Sequence, residues 1–288
     1  MQRHLFATRT DCVFAIVLAL QASLVSAGAA LADDSPWKKD TYSKARLVSA
    51  AIEQDGKTER LAGVQIRLSP GWKTYWRNPG DSGVPPTFDW SGSKNLKSAE
   101  VLFPAPHRFT DAGGTAIGYA DEVVFPVKIT PEREGEPVEL KLNLAYGLCK
   151  TLCIPNEAEL TLALAPEGAG DGADKLLLER YLDLVPKPVE KGELPALGAV
   201  EEKLGAKRPE ILVEALFPEG ATGTDLFAEA PDDIFVPVPK PVGLPEGGKQ
   251  RFAIGFSTPA EAEALKGKTL TLTLVSDRGA RETTITVE

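Results

Sequence analysis

Apolar and polar residues alternate with a period of two along much of the chain. Between Val138 and Tyr146, the residues Val138, Leu140, Leu142, Leu144 and Tyr146 share one face, and Glu139, Lys141 and Asn143 share the other. Ala158, Leu160, Leu162 and Leu164 repeat the pattern one segment later. An extended chain sends successive side chains to opposite faces, so this period predicts half-buried strands. Val64/Ile66/Leu68, Val101/Phe103, Val123–Val127, Leu270/Leu272/Leu274 and Ile285/Val287 are further strand candidates, punctuated by Gly, Pro and Asp. Many short strands separated by turn chemistry predict an all-β protein built of antiparallel sandwiches, not a parallel sheet with crossover helices.

The stretch Pro166–Gly172 is the clearest break in composition. After it, Leu177, Tyr181, Leu184 and Val185 recur at helical spacing, with Asp171 or Asp174 as candidate N-cap and Pro186 and Pro188 as stop signals. The expected organisation is two β-sandwich domains, 33–165 and 210–288, joined by a helix-containing linker over 166–209. One short helix is expected in the second domain, at Pro259–Lys266. Thr258 would cap it, Glu261 would complete a capping box and Gly267 would end it.

The first 32 residues read differently. Arg3 and Arg9 precede an apolar run from Cys12 to Ala30, and Ala30-Leu31-Ala32 closes it. That is the pattern of a secretory signal peptide cleaved after Ala32, which fits better than a membrane anchor because Gln21, Ser23, Ser26 and Gly28 weaken the run. No later apolar run reaches membrane-spanning length. The expected location is therefore outside the cytoplasm.

Composition narrows the function classes. The apolar share is 43%, the charged share 25% and the net charge −9, which excludes a disordered tail, a collagen-like repeat or a polytopic membrane protein. The acidic balance argues against nucleic acid as a partner. Two histidines and a single methionine are too few soft and imidazole ligands for a haem or a multi-metal site. Phosphate-loop, Ser/His/Asp and zinc-spacing motifs are absent.

Removal of a signal peptide would leave two cysteines, Cys149 and Cys153, and an even count in an exported protein suggests a disulfide. In an extended strand, residues four apart are roughly 13 Å apart, whereas a disulfide needs Cα atoms within about 7 Å. Bonding therefore requires Lys150-Thr151-Leu152 to fold back, placing the pair at a hairpin tip bracketed by Gly147 and Pro155. Three readings stay open. A structural staple across so short a loop would contribute only about 2 kcal/mol. A redox pair suits the spacing, because it opens with little disturbance of the fold, and Lys150 beside both sulfurs favours a thiolate. A Cu(I) site could use Cys149, Cys153 and His107. Three of the four tryptophans lie between Gly71 and Trp90. Trp72 and Trp76 are expected on one strand face and Tyr75 on the other, as sandwich core more than as a ligand platform.

The stretches Gly71-Trp-Lys-Thr-Tyr-Trp-Arg-Asn-Pro-Gly-Asp-Ser-Gly-Val-Pro-Pro86, Val124-Phe-Pro-Val-Lys-Ile129 and Tyr146-Gly-Leu-Cys-Lys-Thr-Leu-Cys-Ile-Pro155 resemble the N-terminal periplasmic domain of the DsbD/ScsB thiol–disulfide interchange proteins. The three-residue gap between the cysteines is closer to the ScsB branch. The resemblance spans about Tyr42 to Leu164. It implies immunoglobulin-like sandwiches and a Cys149–Cys153 disulfide that shuttles electrons without a cofactor. Cys153 would form mixed disulfides and Cys149 would resolve them, with Lys150, Tyr146 and Pro155 in support. A cap loop at Pro106–Gly114, carrying Phe109 and Asp111, would cover the pair. The family's membrane and thioredoxin-like domains have no counterpart in the sequence. The implied donor is then a separate membrane-embedded thiol reductant of the DsbD/CcdA type. The implied clients are periplasmic thioredoxin-like or other disulfide-bearing proteins, with cytochrome c biogenesis and copper tolerance as the associated processes.

Overall fold

The computed structural model describes residues 34–54, 56–111, 114–166, 173–231 and 234–288. The signal-like segment and Asp171 lie outside the described residues. The strands of the first sandwich are β1 (Lys38–Lys39), β2 (Ser43–Gln54), β3 (Lys57–Leu68), β4 (Lys73–Gly80), β5 (Thr87–Asp89), β6 (Leu96–Val101), β7 (His107–Asp111), β8 (Gly114–Ala120), β9 (Glu122–Pro131), β10 (Val138–Cys149) and β11 (Cys153–Leu164). One sheet has the order β1-β2-β3-β9-β6; the other runs β11-β10-β4-β8-β7, with β5 paired to β10. The period-two pattern is realised directly. Val138, Leu140, Leu142, Leu144 and Tyr146 of β10 and Ala158, Leu160, Leu162 and Leu164 of β11 are buried in one core with Leu47, Val64, Ile66 and Phe125.

Val123–Val127 is buried at every position, not at alternate ones. The cause is helix α1 (Ala173–Asp183), which covers the outer face of β2, β3 and β9. Leu178 is fully buried there, and Gly63 makes room for it: a Cβ on Gly63 would lie 2.5 Å from Leu178 Cδ2 and 2.9 Å from Val124 Cγ1. The helix is thus part of the first core and not a free linker. Of the four residues expected on its apolar stripe, Tyr181 is buried, whereas Leu184 is exposed because the helix ends one residue before it. Asp174 sits in the first turn, where the helix dipole favours a carboxylate, and it pairs with Arg46 Nη2 at 2.9 Å.

The second sandwich comprises β12 (Lys187–Pro188), β13 (Ala196–Lys203), β14 (Glu210–Leu216), β15 (Asp225–Glu229), β16 (Lys240–Glu246), β17 (Lys249–Gly255), α2 (Pro259–Glu263), β18 (Thr269–Ser276) and β19 (Gly279–Thr286). Its sheets have the orders β12-β19-β18-β15 and β13-β14-β17-β16. Its strands begin at Lys187, ahead of the expected start at Glu210. Helix α2 stops short of Lys266 because Leu265 and Lys266 donate to carbonyls three residues back, tightening the last turn. Half of the expected capping box forms: Glu261 N donates to Thr258 Oγ1 at 3.3 Å, but the Glu261 carboxylate accepts from Ser257 N at 2.9 Å, one residue before the N-cap, and not from Thr258 N.

The two sandwiches meet along β4 and β7. Arg77 Nη2 pairs with Glu229 Oε2 at 2.7 Å and also with Glu282, while Arg108 Nη2 pairs with Asp225 Oδ1 at 2.6 Å. Asn78 Nδ2 donates to the Ala228 carbonyl at 3.1 Å, and the Trp76 and Phe227 rings lie 5.6 Å apart. Burial by itself would lower the Arg77 pKa; the bonds to and charges of Glu229 and Glu282 outweigh it and raise the pKa above the ordinary guanidinium range.

Two predictions test this packing. Leu178→Ala removes the helix's anchor against a sheet that cannot close the gap, so it should destabilise by about 2–5 kcal/mol in urea unfolding. The second concerns pH. Desolvation, reinforced by the Glu122 charge, pushes the Tyr181 phenol up to about 12. An unfolded tyrosine ionises near pH 10, so the unfolded chain loses that proton before the folded one does. Stability from this group is complete below about pH 10 and is lost as pH rises towards about 12. Burial raises Tyr146 and Tyr119 in the same sense. The urea midpoint should fall across this window, and Tyr181→Phe should reduce the fall.

Candidate active site at the tip of a hairpin

Strands β10 and β11 pair without a slip from Val138↔Leu164 to Cys149↔Cys153. The cysteines are directly opposed partners at the open end of this ladder, joined by a disulfide with a Cα–Cα distance of 4.1 Å. Lys150–Leu152 form the connecting bend, closed by Lys150 N donating to the Leu152 carbonyl at 3.3 Å. The fold-back that the spacing required is therefore present. Because Leu144, Tyr146 and Leu148 point into the core, Ala145, Gly147 and Cys149 point outward. Cys149 is half-buried and Cys153 is exposed.

One side chain that the sequence reading left out of the site touches it. Tyr75 lies on the outer face, opposite to the fully buried Trp76, as the strand period predicted, yet Tyr75 is itself buried. Strand β4 pairs with β10 at Cys149↔Lys73, and Thr74 Oγ1 donates to the Gly147 carbonyl at 2.9 Å. This pairing lays the Tyr75 ring across Gly147. A Cβ on Gly147 would sit 2.8 Å from Tyr75 Cε2, and a Cβ on Gly83 would sit 2.4 Å from Tyr75 Cε1. Two glycines thus clear both sides of the ring. Its hydroxyl lies 3.2 Å from Cys153 Sγ. A disulfide sulfur carries no proton, so Tyr75 is the donor, and a Cys153 thiolate in the reduced protein would accept the same bond more strongly. The signal for Tyr75 in the sequence was weak: only the β4–β10 register brings a tyrosine beside Trp76 to a glycine two residues before a cysteine.

The other expected residues are distributed as follows. Lys150 is exposed, and its Nζ donates to the Pro70 carbonyl at 3.3 Å. Pro155 is exposed and stands opposite Gly147 in the ladder. Tyr146 faces the core instead of the sulfurs; its hydroxyl lies 2.9 Å from Ser43 Oγ, and burial raises its pKa. Phe109 belongs to strand β7 and not to a loop, because His107–Asp111 pairs in register with Gly114–Gly118. It still reaches the neighbourhood of the site: its ring centroid lies 4.7 Å from Nζ of Lys73, the residue opposite Cys149. Asp111 ends β7 opposite Gly114, and its side chain lies outside the described residues. His107 is exposed on the third strand from β10, roughly 14 Å away at about 4.8 Å per strand. The structure does not bring it to the cysteines as the Cu(I) ligand set required. Among the described residues, no cluster of three or more His, Cys, Asp or Glu side chains is placed to hold a metal. Trp72 stacks on Tyr42 with centroids 4.0 Å apart and is partly buried against the edge of the main core.

An all-β sandwich carrying an accessible disulfide between opposed strands has the architecture of a thiol–disulfide interchange domain. The sequence family described as "Thiol:disulfide interchange protein DsbD, N-terminal" matches residues 44–165 of the chain. The fold is similar to the crystal structure of the N-terminal periplasmic domain of ScsB from Proteus mirabilis, with a TM-score of 0.67 at 20% identity. That match covers 88% of this chain and 98% of the other. No curated protein matches the chain. Among the described residues no helix is long and apolar enough to cross a membrane. The family supports thiol–disulfide oxidoreductase chemistry in general.

Tyr75→Phe keeps the ring between its two glycines and removes the bond to Cys153. The equilibrium constant for reduction by a small dithiol should fall about fivefold, the equivalent of the ~1 kcal/mol that one hydrogen bond contributes, because the Cys153 thiolate accepts that bond more strongly than the disulfide does. Equilibration in dithiothreitol redox buffers, with urea stability measured alongside, checks this.

Proposed function

We propose that the protein is a periplasmic thiol–disulfide oxidoreductase that relays electrons from a membrane-embedded reductant to disulfide-bearing periplasmic clients through Cys149 and Cys153. The observation that carries the reading is the exposed Cys153 in a disulfide at the very end of the β10–β11 ladder. Opening that bond leaves the pairing from Val138 to Leu148 in place, so the change of redox state need not disturb the core. The signal-like pattern of residues 1–32 supports the location.

The chemistry balances without a cofactor. A donor thiolate attacks Cys153 Sγ, Cys149 leaves as the thiolate, and a second donor thiolate attacks the mixed disulfide to release Cys153. The chain has then gained two electrons and, on protonation, two protons. In the forward half, the Cys153 thiolate attacks a client disulfide and the first client sulfur departs. Cys149 then attacks Cys153 Sγ, releasing the second client sulfur and restoring the Cys149–Cys153 bond. Tyr75 donates to Cys153 wherever that sulfur carries negative charge.

The test is trapping. Cys149→Ser removes the resolving sulfur, so periplasmic expression should accumulate covalent adducts through Cys153, identifiable by mass spectrometry. The Cys153→Ser protein should accumulate far fewer, because Cys149 is less exposed. The reduction potential should fall within the exchange range of roughly −180 to −270 mV, and a value below about −300 mV would instead mark a structural staple.

A further inference from the structure

The distribution of charge is not explained by exchange chemistry alone. The whole chain is acidic, with 41 Asp+Glu against 32 Lys+Arg. The end of the first sandwich that bears the disulfide has the opposite sign. Lys150 is exposed between the cysteines, and Lys73 stands opposite Cys149. On the other flank, Lys38 and Lys39 are both exposed in β1, and Lys39 is directly opposite Lys44. These flanks are continuous: Lys150 reaches Pro70, Trp72 stacks on Tyr42, and the adjoining Ser43 Oγ accepts from Asn156 Nδ2 at 3.3 Å, three residues from Cys153.

Folding accounts for only part of this arrangement: Lys44 Nζ lies 4.6 Å from the Trp37 ring centroid and Lys73 Nζ 4.7 Å from that of Phe109, whereas the exposed Lys39 stands directly opposite Lys44, and like charges so placed disfavour the pairing. Carboxylates at this end are outnumbered: Asp40 and Asp121 are exposed there and Glu122 is engaged by Arg67 Nε at 2.6 Å and Gln65 Nε2 at 2.5 Å, against Lys38, Lys39, Lys44, Lys73 and Lys150. Beside the sulfurs the surface is apolar: Leu152 is 68% exposed and Val84 58%. An apolar centre with a charged rim is the anatomy of a transient protein interface.

We infer that this end docks a thiol–disulfide partner domain whose own cysteine pair sits in an apolar spot ringed by carboxylates. The inference rests on the reading of Cys149–Cys153 as an exchangeable bond. Complementary charge raises the rate of encounter and orients the partner so that its sulfur meets Cys153, while a basic-faced thiol protein is turned away.

The test uses the oxidised full chain and two synthetic peptides with the same Cys-Gly-Pro-Cys core, flanked by four glutamates in one and four lysines in the other. Rates of disulfide opening are expressed per thiolate, which removes the effect of the flanking charges on thiol ionisation. At low ionic strength the acidic peptide should react at least about tenfold faster, and the advantage should collapse near 0.5 M salt, where the Debye length shrinks to about 4 Å. Lys38→Glu with Lys39→Glu, both exposed and outside the reacting centre, should slow the acidic peptide several-fold and leave dithiothreitol unaffected. Equal rates for the two peptides, or a faster lysine peptide, would overturn the inference. The uncharged dithiol separates the two levels: if it fails to open the bond, the redox reading itself fails, whereas ready opening without charge preference defeats only the docking surface.

Discussion

The unbroken register between β10 and β11 is the constraint from which the rest follows. Because side chains alternate strictly along a strand, a slip of one residue would send Leu140, Leu142 and Leu144 to solvent. The buried leucines therefore lock the pairing, and the locked pairing places Cys149 opposite Cys153 at its end. The core energetics and the geometry of the disulfide are one interaction seen at two places. A redox pair held in this way can open without being lost, since the burial that aligns its partners lies further down the ladder and does not depend on the bond.

Strand β4 connects this tip to the second sandwich. Its first residues meet the site: Lys73 opposite Cys149, and Tyr75 between Gly83 and Gly147 with its hydroxyl on Cys153. Its later residues, Trp76, Arg77 and Asn78, meet Phe227, Glu229, Glu282 and the Ala228 carbonyl. A partly buried guanidinium that satisfies two carboxylates resists displacement, because moving it would leave those charges desolvated and unpaired. The second sandwich thereby braces the strand that carries Tyr75. Bracing suits a donor hydroxyl, whose worth depends on its staying within hydrogen-bond distance of one sulfur.

Much of this was legible in the chain. The strands of strongest alternation, Val138–Tyr146 and Ala158–Leu164, were readable because burial on one face imposes period two. The hairpin tip was readable because two cysteines four residues apart cannot bond unless the chain reverses. The N-cap at Thr258 was readable because it is local. Less legible was the stretch Val123–Val127, whose continuous apolar character reports cover on both faces without saying that Leu178 supplies it through the gap at Gly63. Phe109 is expected in a cap loop only through the family resemblance, and the pairing of His107–Asp111 with Gly114–Gly118 makes it part of a strand.

The sequence by itself determined the class of fold and, for any bond between Cys149 and Cys153, the turn between them, since each depends on residues near one another along the chain. Tertiary structure alone decided which side chains surround the sulfurs. It chose Tyr75 over Tyr146, set His107 three strands away, and drew Lys38, Lys39 and Lys44 to the flank of Cys153. Those neighbours come from separate strands, and the order in which strands join a sheet is set by global packing, which no local pattern of residues encodes.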